Sequence, residues 1–254
     1  MKPTATGRIL LWRGGSLWIG LAGEPTGLHA HHAVQIALPF PHGRVRFQRP
    51  SGSWTNYSAA VVAAQQPHAF EARAQLMAQL FVEPESIEGR QLQLRYRAEG
   101  IAALPSGALE QEIAALASAY ERHVSDEALI ALARAAIATL AGATTVAPKK
   151  LPDARIARAV ELIRERLGGA IPLNAIAREV HLSPERFRHL FIEETGVGFR
   201  AYLLWLRLEY SLTSYVAGST LTEAAYAGGF ADSAHLSRTF KRMFGITPAS
   251  VRPE

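Results

Sequence analysis

The 254-residue chain has no cysteine. Disulfide bridges, thiolate zinc sites and cysteine nucleophiles are therefore excluded. It also lacks any apolar run approaching the roughly 20 residues needed to cross a bilayer, so no membrane partner is expected. Lys2 and Arg8 are not followed by a long apolar stretch, so Met1 to Leu11 does not read as a signal peptide. A cytoplasmic location is the simplest expectation. No nucleophile elbow, P-loop or dinucleotide fingerprint is present, and Gly196-x-Gly198 is only a fragment of one. The sequence thus gives no reason to expect an enzyme.

What is present is ordinary for a globular protein: 48% hydrophobic and 19% charged residues, with ample material for a core in one large or two modest domains. The net charge of +5 is unevenly spread. Residues 1–148 hold 12 basic and 11 acidic side chains, whereas residues 149–254 hold 15 and 11. The excess sits in the shorter part, and a basic segment attracts phosphates whatever their sequence.

Short apolar runs dominate the first part: Ile9–Trp12, Leu17–Leu21, Val34–Leu38, Val61–Ala64 and Leu76–Val82, separated by Gly, Pro and Ser. Arg44 to Gln48 alternates like a half-exposed strand. This pattern predicts a β-barrel or sandwich over residues 1–105. Residues 106–142 read as two helices. Leu109, Ile113, Leu116, Ala117 and Tyr120 share one face of the first. Ser125 caps the second, whose stripe is Leu129, Leu132, Ala133, Ala136, Ile137 and Leu140. These stripes pack on their own domain or, in a homodimer, on a second copy; the segment is assigned to dimerisation. Residues 143–152, with two prolines and few large apolar side chains, read as a linker. Residues 153–254 read as all-α.

That last part repeats itself. Leu173, Ala177, His181 and Leu182 match Leu221, Ala225, Gly229 and Phe230 at an offset of 48. Phe187, Phe191 and Gly196 match Leu236, Phe240 and Gly245 at an offset of 49. Each copy reads as a short helix, a tight turn and a longer helix. Ala177 and Ala225 are small where the two helices cross. His181 and Gly229 fall where a positive φ is needed, which Gly adopts freely and His tolerates. Ser183 caps the longer helix of the first copy, with Pro184 at its first position. Asp232 or Ser233 does so in the second. The inward faces are Phe187, Leu190 and Phe191, then Leu236, Phe240 and Phe244. Between the copies, Phe199 to Val216 predicts a helix of about 27 Å. Such a rod would let two recognition helices enter successive major grooves, which lie about 34 Å apart.

From Ile156 to Arg252 the chain closely resembles the DNA-binding domain of the AraC/XylS family of bacterial transcription regulators. The resemblance rests on Ala177–Phe191 (AREVHLSPERFRHLF), Phe199–Glu209 (FRAYLLWLRLE) and Gly229–Arg252 (GFADSAHLSRTFKRMFGITPASVR). It implies a sequence-specific, effector-responsive and dimeric regulator acting on double-stranded promoter DNA. RNA polymerase is a further candidate partner, the small-molecule effector is unknown, and activation is the family's usual sign. In a helix-turn-helix the start of the second helix faces base edges. By helical phase, Glu185, Arg186, Arg188 and His189 are the candidate DNA contacts of the first unit. Ser233, His235, Ser237 and Arg238 are those of the second, with Lys241 and Arg242 set to meet phosphates. The second unit offers few long polar side chains near its helix start, which suggests binding through phosphates and DNA shape.

Histidines cluster at His29, His31, His32 and His42, with His68 after Pro67. On one strand, His29, His31 and Gln35 would share a face. The pattern is similar to the cupin motif, His-x-His-x-x-x-Glu with a later Pro-His around a divalent metal, and cupin-like sensor barrels accompany this regulator family. Gln35 stands where the motif has a carboxylate, and an amide is a poorer, uncharged ligand. Three readings follow: polar residues lining an effector pocket, a metal site of His29, His31 and His68 with Gln35 marginal, or a cupin metalloenzyme with an appended DNA-binding domain. The fold expected throughout is α+β: a cupin-like β-barrel with dimerisation helices, then an all-α domain of two helix-turn-helix units joined by a linker helix.

Overall fold

The computed structural model describes residues 5–142 and 152–253. The expected linker at 143–152 lies almost wholly outside the described residues. The chain forms two compact units, one from Met1–Ala147 together with Phe240–Glu254, the other from Pro148–Thr239.

The first unit opens with eight strands: β1 (Ala5–Trp12), β2 (Gly15–Ala22), β3 (Val34–Pro39), β4 (Val45–Gln48), β5 (Trp54–Tyr57), β6 (Ala60–Val62), β7 (Ala69–Glu71) and β8 (Leu76–Val82). Helix α1 (Ile87–Tyr96), β9 (Ile101–Ala103) and helices α2 (Glu110–Glu121) and α3 (Asp126–Gly142) follow. The chain's last strand, β10 (Val251–Pro253), belongs to this unit and pairs parallel with β1. The strands make two sheets, ordered β10-β1-β2-β8-β3-β6-β9 and β5-β4-β7. The expected closed barrel is therefore corrected to two open sheets.

Strand alternation accounts for the layers. Leu17 and Ile19 of β2, Val34, Ile36 and Leu38 of β3, and Ala78, Leu80 and Val82 of β8 share one core with α1, α2 and α3. Their neighbours in sequence, including Ala22, Ala37 and Met77, face the small sheet and pack with Val45, Phe47 and Phe70. A one-residue slip would exchange these faces, so burial on both sides fixes the register.

Helix α1 was not foreseen within the expected β region. Its composition is polar, but Ser86 caps it, accepting from the Gly89 amide at 2.9 Å. The two following helices match expectation, with Ser125 accepting from the Ala128 amide at 3.3 Å. Their predicted stripes all pack into the sheet's own core. Ile113, Tyr120 and Leu132 of those stripes are only partly buried.

The second unit holds α4 (Ala154–Glu165), α5 (Leu173–Glu179), α6 (Pro184–Thr195), α7 (Phe199–Val216), α8 (Leu221–Ala227) and the start of α9 (Ser233–Phe244). The boundary between units falls inside α9. Asp153 caps α4, and Thr220 with Glu223 forms a capping box on α8. The 3₁₀ turn η1 (Pro248–Ser250) leads into β10.

Candidate nucleic-acid interface and histidine cluster

The repeat appears as drawn from the sequence. α5 and α8 begin 48 residues apart, α6 and α9 begin 49 apart. Ala177 and Ala225 are fully buried. His181 has φ of 55° and Gly229 has φ of 73°, so both turns need the left-handed region. Ser183 accepts from the Arg186 amide at 3.2 Å with Pro184 behind it. In the second copy the cap is Asp232, which accepts from the His235 amide at 2.6 Å.

Burial separates the two sides of α6. Phe187, Leu190 and Phe191 are at most 1% exposed, and Phe187 lies 5.2 Å from Phe191 and 5.8 Å from Phe199. Glu185, Arg186, Arg188 and His189 are all exposed. Two exposed guanidinium groups near the positive end of a helix suit an anionic partner. On α9, Arg238, Lys241 and Arg242 are exposed, whereas Ser233, His235 and Ser237 are half-buried. The His235 ring sits edge-on to Phe230 at 5.1 Å, so part of its surface is already used in packing.

Leu236, Phe240 and Phe244, the expected inward face of α9, are all buried. Trp18 of β2 takes part in covering them: it stacks on Phe240 at 6.2 Å and meets Phe244 at 4.9 Å. Phe244 also meets Phe81 at 5.6 Å and His31 at 6.0 Å. Sequence offset alone could not show this, because an apolar residue matches its repeat partner whatever covers it.

The structure gathers four of the polar residues named from the first part. Gln35 lies in β3, but His29 and His31 precede it in irregular chain, so they do not share one strand as expected. His29 and His68 instead form an antiparallel bridge, each amide donating to the other's carbonyl at 2.9 Å. One ring nitrogen from each of His29, His31 and His68 lies within 4.8 Å of those of the others. Gln35 Oε1 is 3.2 Å from His31 Nε2 and 3.0 Å from His68 Nε2. His42 is not part of the cluster, and His32 pairs with Glu85 at 2.9 Å. All four cluster side chains are buried.

Burial, which disfavours the charged ring, pushes His29 down to about 4, against the pull of the Gly27 carbonyl. Burial and the neighbouring His29 push His31 down to about 3. The same two influences hold His68 well below the usual histidine range. The rings are neutral at pH 7, the form in which imidazole binds metal. The donor set fits a divalent ion, with three imidazoles and one amide oxygen and no cation among them. Sequence reasoning missed Gln79, which accepts from the Gln35 amide nitrogen at 2.5 Å and so orients it. Its place opposite Ala37 in the β3–β8 register is a pairing that sequence does not reveal.

A helix-turn-helix domain model matches residues 176–254. Among curated proteins, the regulator GlxA of Rhizobium meliloti (strain 1021) is 38% identical over 79 residues, covering 31% of this chain and 24% of that one. The transcriptional activator RhaS of Escherichia fergusonii is 31% identical over 102 residues, covering 39% and 36%. The chain thus spans only about a quarter to a third of the length of such relatives. ToxT of Vibrio cholerae is a structural neighbour at 13% identity, with TM-score 0.58 over 93% of this chain and 97% of that one. An apo ToxT variant gives 0.62 at 11% identity over 94% and 97%. At such identity the likeness shows the fold. The C-terminal part of the chain is an AraC-type helix-turn-helix domain, of the kind carried by the AraC/XylS family of transcription regulators.

Proposed function

We propose that the chain is a transcription regulator that binds double-stranded promoter DNA through its two helix-turn-helix units. The carrying observation is α6, a capped helix whose apolar face is wholly buried while Glu185, Arg186, Arg188 and His189 point outward. Arg can take guanine by two bonds and Glu can accept from cytosine, so this face reads bases. Lys241 and Arg242 meet phosphates, and Arg238 supplies the long polar side chain of the second unit, with Ser233, Ser237 and His235 beside it. Selecting bound fragments from random genomic DNA with the full chain tests this. The expected result is one enriched motif whose first half-site tolerates scrambling less than its second. Equal binding to every fragment at moderate salt overturns the reading.

The first unit is the sensor. A cavity of about 50 Å³ is lined by Trp18, Phe70, Phe81 and Phe244 with His29 and Gln35 at its wall. The buried Trp18 Nε1 has no hydrogen-bond partner among the described residues. An apolar effector carrying an acceptor group suits such a lining. Regulation further requires that the effector favour one arrangement of the chain over another. A homodimer completes the proposal. With the inner stripes of α2 and α3 covered, a second copy would meet the outward face of α3, where Ala128, Ala131, Ala135 and Ala138 are exposed. Sedimentation showing only monomer at micromolar concentration, with and without DNA, would refute the dimer. RNA polymerase contact and activation, rather than repression, go with the same reading and are read by transcription from the selected promoter. The metalloenzyme alternative has less support, since among the described residues no carboxylate joins the buried cluster to act as base.

A further inference from the structure

His29, His31 and His68 are 7%, 2% and 0% exposed, and among the described residues no acidic side chain joins them. Each ring's Nδ1 lies 2.8 Å from a backbone carbonyl, of Gly27, Ala33 and Gln66 respectively. A carbonyl only accepts, so each Nδ1 carries the hydrogen and each Nε2 is left with a lone pair. This is the arrangement in which an outer hydrogen bond fixes the tautomer of a metal-binding histidine. Gln35 Oε1 then faces His31 Nε2 and His68 Nε2 with no hydrogen between them, because the Gln35 amide nitrogen is directed at Gln79. Lone pairs face lone pairs, and a cation is what satisfies them.

We propose that His29, His31 and His68 bind one divalent transition-metal ion, with Gln35 Oε1 as a fourth and weaker ligand, and that the chain's last stretch, from Phe244 onward, senses its occupancy. Imidazole-rich, thiolate-free donors suit Zn²⁺, Ni²⁺, Cu²⁺ or Co²⁺. Tetrahedral Zn–N bonds place nitrogens about 3.3 Å apart, and one ring nitrogen from each histidine already lies within 4.8 Å of those of the others.

The link to the last stretch is one residue wide. The Gly27 carbonyl holds His29 Nδ1, and the Gly27 amide donates to the Gly245 carbonyl at 2.9 Å. A Cβ on Gly245 would fall 2.4 Å from the Gly27 oxygen and 2.7 Å from His29 Nδ1. Gly245 follows directly on α9, which carries the exposed Arg238, Lys241 and Arg242. A shift of His29 onto an ion therefore moves the segment that continues the second recognition helix. This deepens the regulator reading by naming its signal and rests on it only for the effect at DNA.

The test uses the full chain, stripped with chelator, titrated with Zn²⁺ by calorimetry and with Co²⁺ by visible absorption, in the absence of DNA. One ion per chain is expected. His29→Ala and His68→Ala should weaken binding by about 100-fold or more, and Gly245→Ala by about tenfold. Gln35→Glu supplies the missing charged oxygen and should tighten binding by about tenfold or more. Circular dichroism checks that each variant folds. If the histidine variants do not fold, Gln35→Glu carries the decision. With the Gln35 amide turned the other way, its NH₂ would donate to both rings, and the cluster would be a satisfied polar core. The wild type would then take up no ion and Gln35→Glu would gain none, and the proposal falls. It falls equally if binding persists in the histidine variants, which places the ion elsewhere. Unchanged affinity in folded Gly245→Ala overturns the sensing by the last stretch. Because no DNA is present, failure here is separate from failure of DNA binding.

Discussion

The second unit hangs on a contact that one methyl group should break. Gly228 ends α8 where that helix crosses α7. A Cβ there would lie 2.0 Å from Ser211 Oγ and 2.6 Å from the Arg207 carbonyl oxygen. The backbone at Gly228 has φ of −80°, which any residue adopts, so the cost of Gly228→Ala is purely steric. Forcing a methyl group into a packed contact costs about 1–3 kcal/mol. Against this stands about 0.4–1 kcal/mol gained by restricting the unfolded chain. The net loss of about 1–2 kcal/mol should lower the melting temperature of a unit this size by about 5–15 °C. Ser211 Oγ is buried without a hydrogen-bond partner among the described residues, so Ser211→Ala alone should be neutral or slightly stabilising. In the Gly228→Ala background it removes the nearer clash and leaves the backbone one, giving partial rescue. Gly168→Ala is the control, since nothing lies within 4 Å of a Cβ there. The assay is thermal denaturation of the four variants by circular dichroism, with DNA binding measured in parallel. Gly228→Ala melting within 2 °C of the wild type, or no coupling with Ser211→Ala, would show that this crossing is not as close as described.

Phe187→Ala removes a ring that is 0% exposed and packed against Phe191 and edge-on to Phe199; it should cost about 3–5 kcal/mol, read as a drop in urea midpoint. Arg188→Ala should cost about 1–3 kcal/mol on the selected operator and relax preference at one base position, measured by competition with single-base variants. Lys241→Ala should instead weaken all sequences alike and reduce the salt dependence of binding by about one unit of slope. In chelator-treated protein, stability should fall on acidification. His29 titrates near 4 folded and near 6.5 unfolded, so the unfolded chain binds the proton first as pH drops. Stability is full above about 6.5 and declines from there toward 4 for His29 and toward 3 for His31. His29 alone accounts for about 3 kcal/mol, and melting temperatures that stay level between pH 7 and 4.5 would contradict this.

How much of this was legible in the sequence depended on the range of the interaction concerned. The caps at Ser125 and Ser183, the left-handed turns at His181 and Gly229, and the apolar runs that become β2, β3 and β8 are set by residues within a few positions of each other, and all were readable. The repeat extended that reach, because two copies of one local pattern test each other. Helix α1 escaped because its apolar positions are few, and Ser86 was its only local sign. The closed barrel failed for a different reason. Short strands fix how many layers a segment can make, but closure depends on which edges pair, and here β10 from the far end of the chain lies on the β1 edge.

That same distant pairing explains why the histidine cluster could be named yet not assembled from sequence. His29 and His68 meet through a backbone bridge across 39 positions, and Gln79 orients Gln35 across 44. The Trp18–Phe244 contact spans the chain from its second strand to its last helix. Phe240 and Phe244 fit the repeat as readily as their partners in the first copy, but they belong to the sheet unit. A motif that looks like half of a DNA-binding pair thus has its last turn anchored beside a cluster of neutral imidazoles. A regulator needs its signal site and its readout to share some element, and the stretch from Phe240 to Ile246 is such an element: Phe244 and Ile246 line the cavity, and Lys241 and Arg242 are exposed on the same turn of α9.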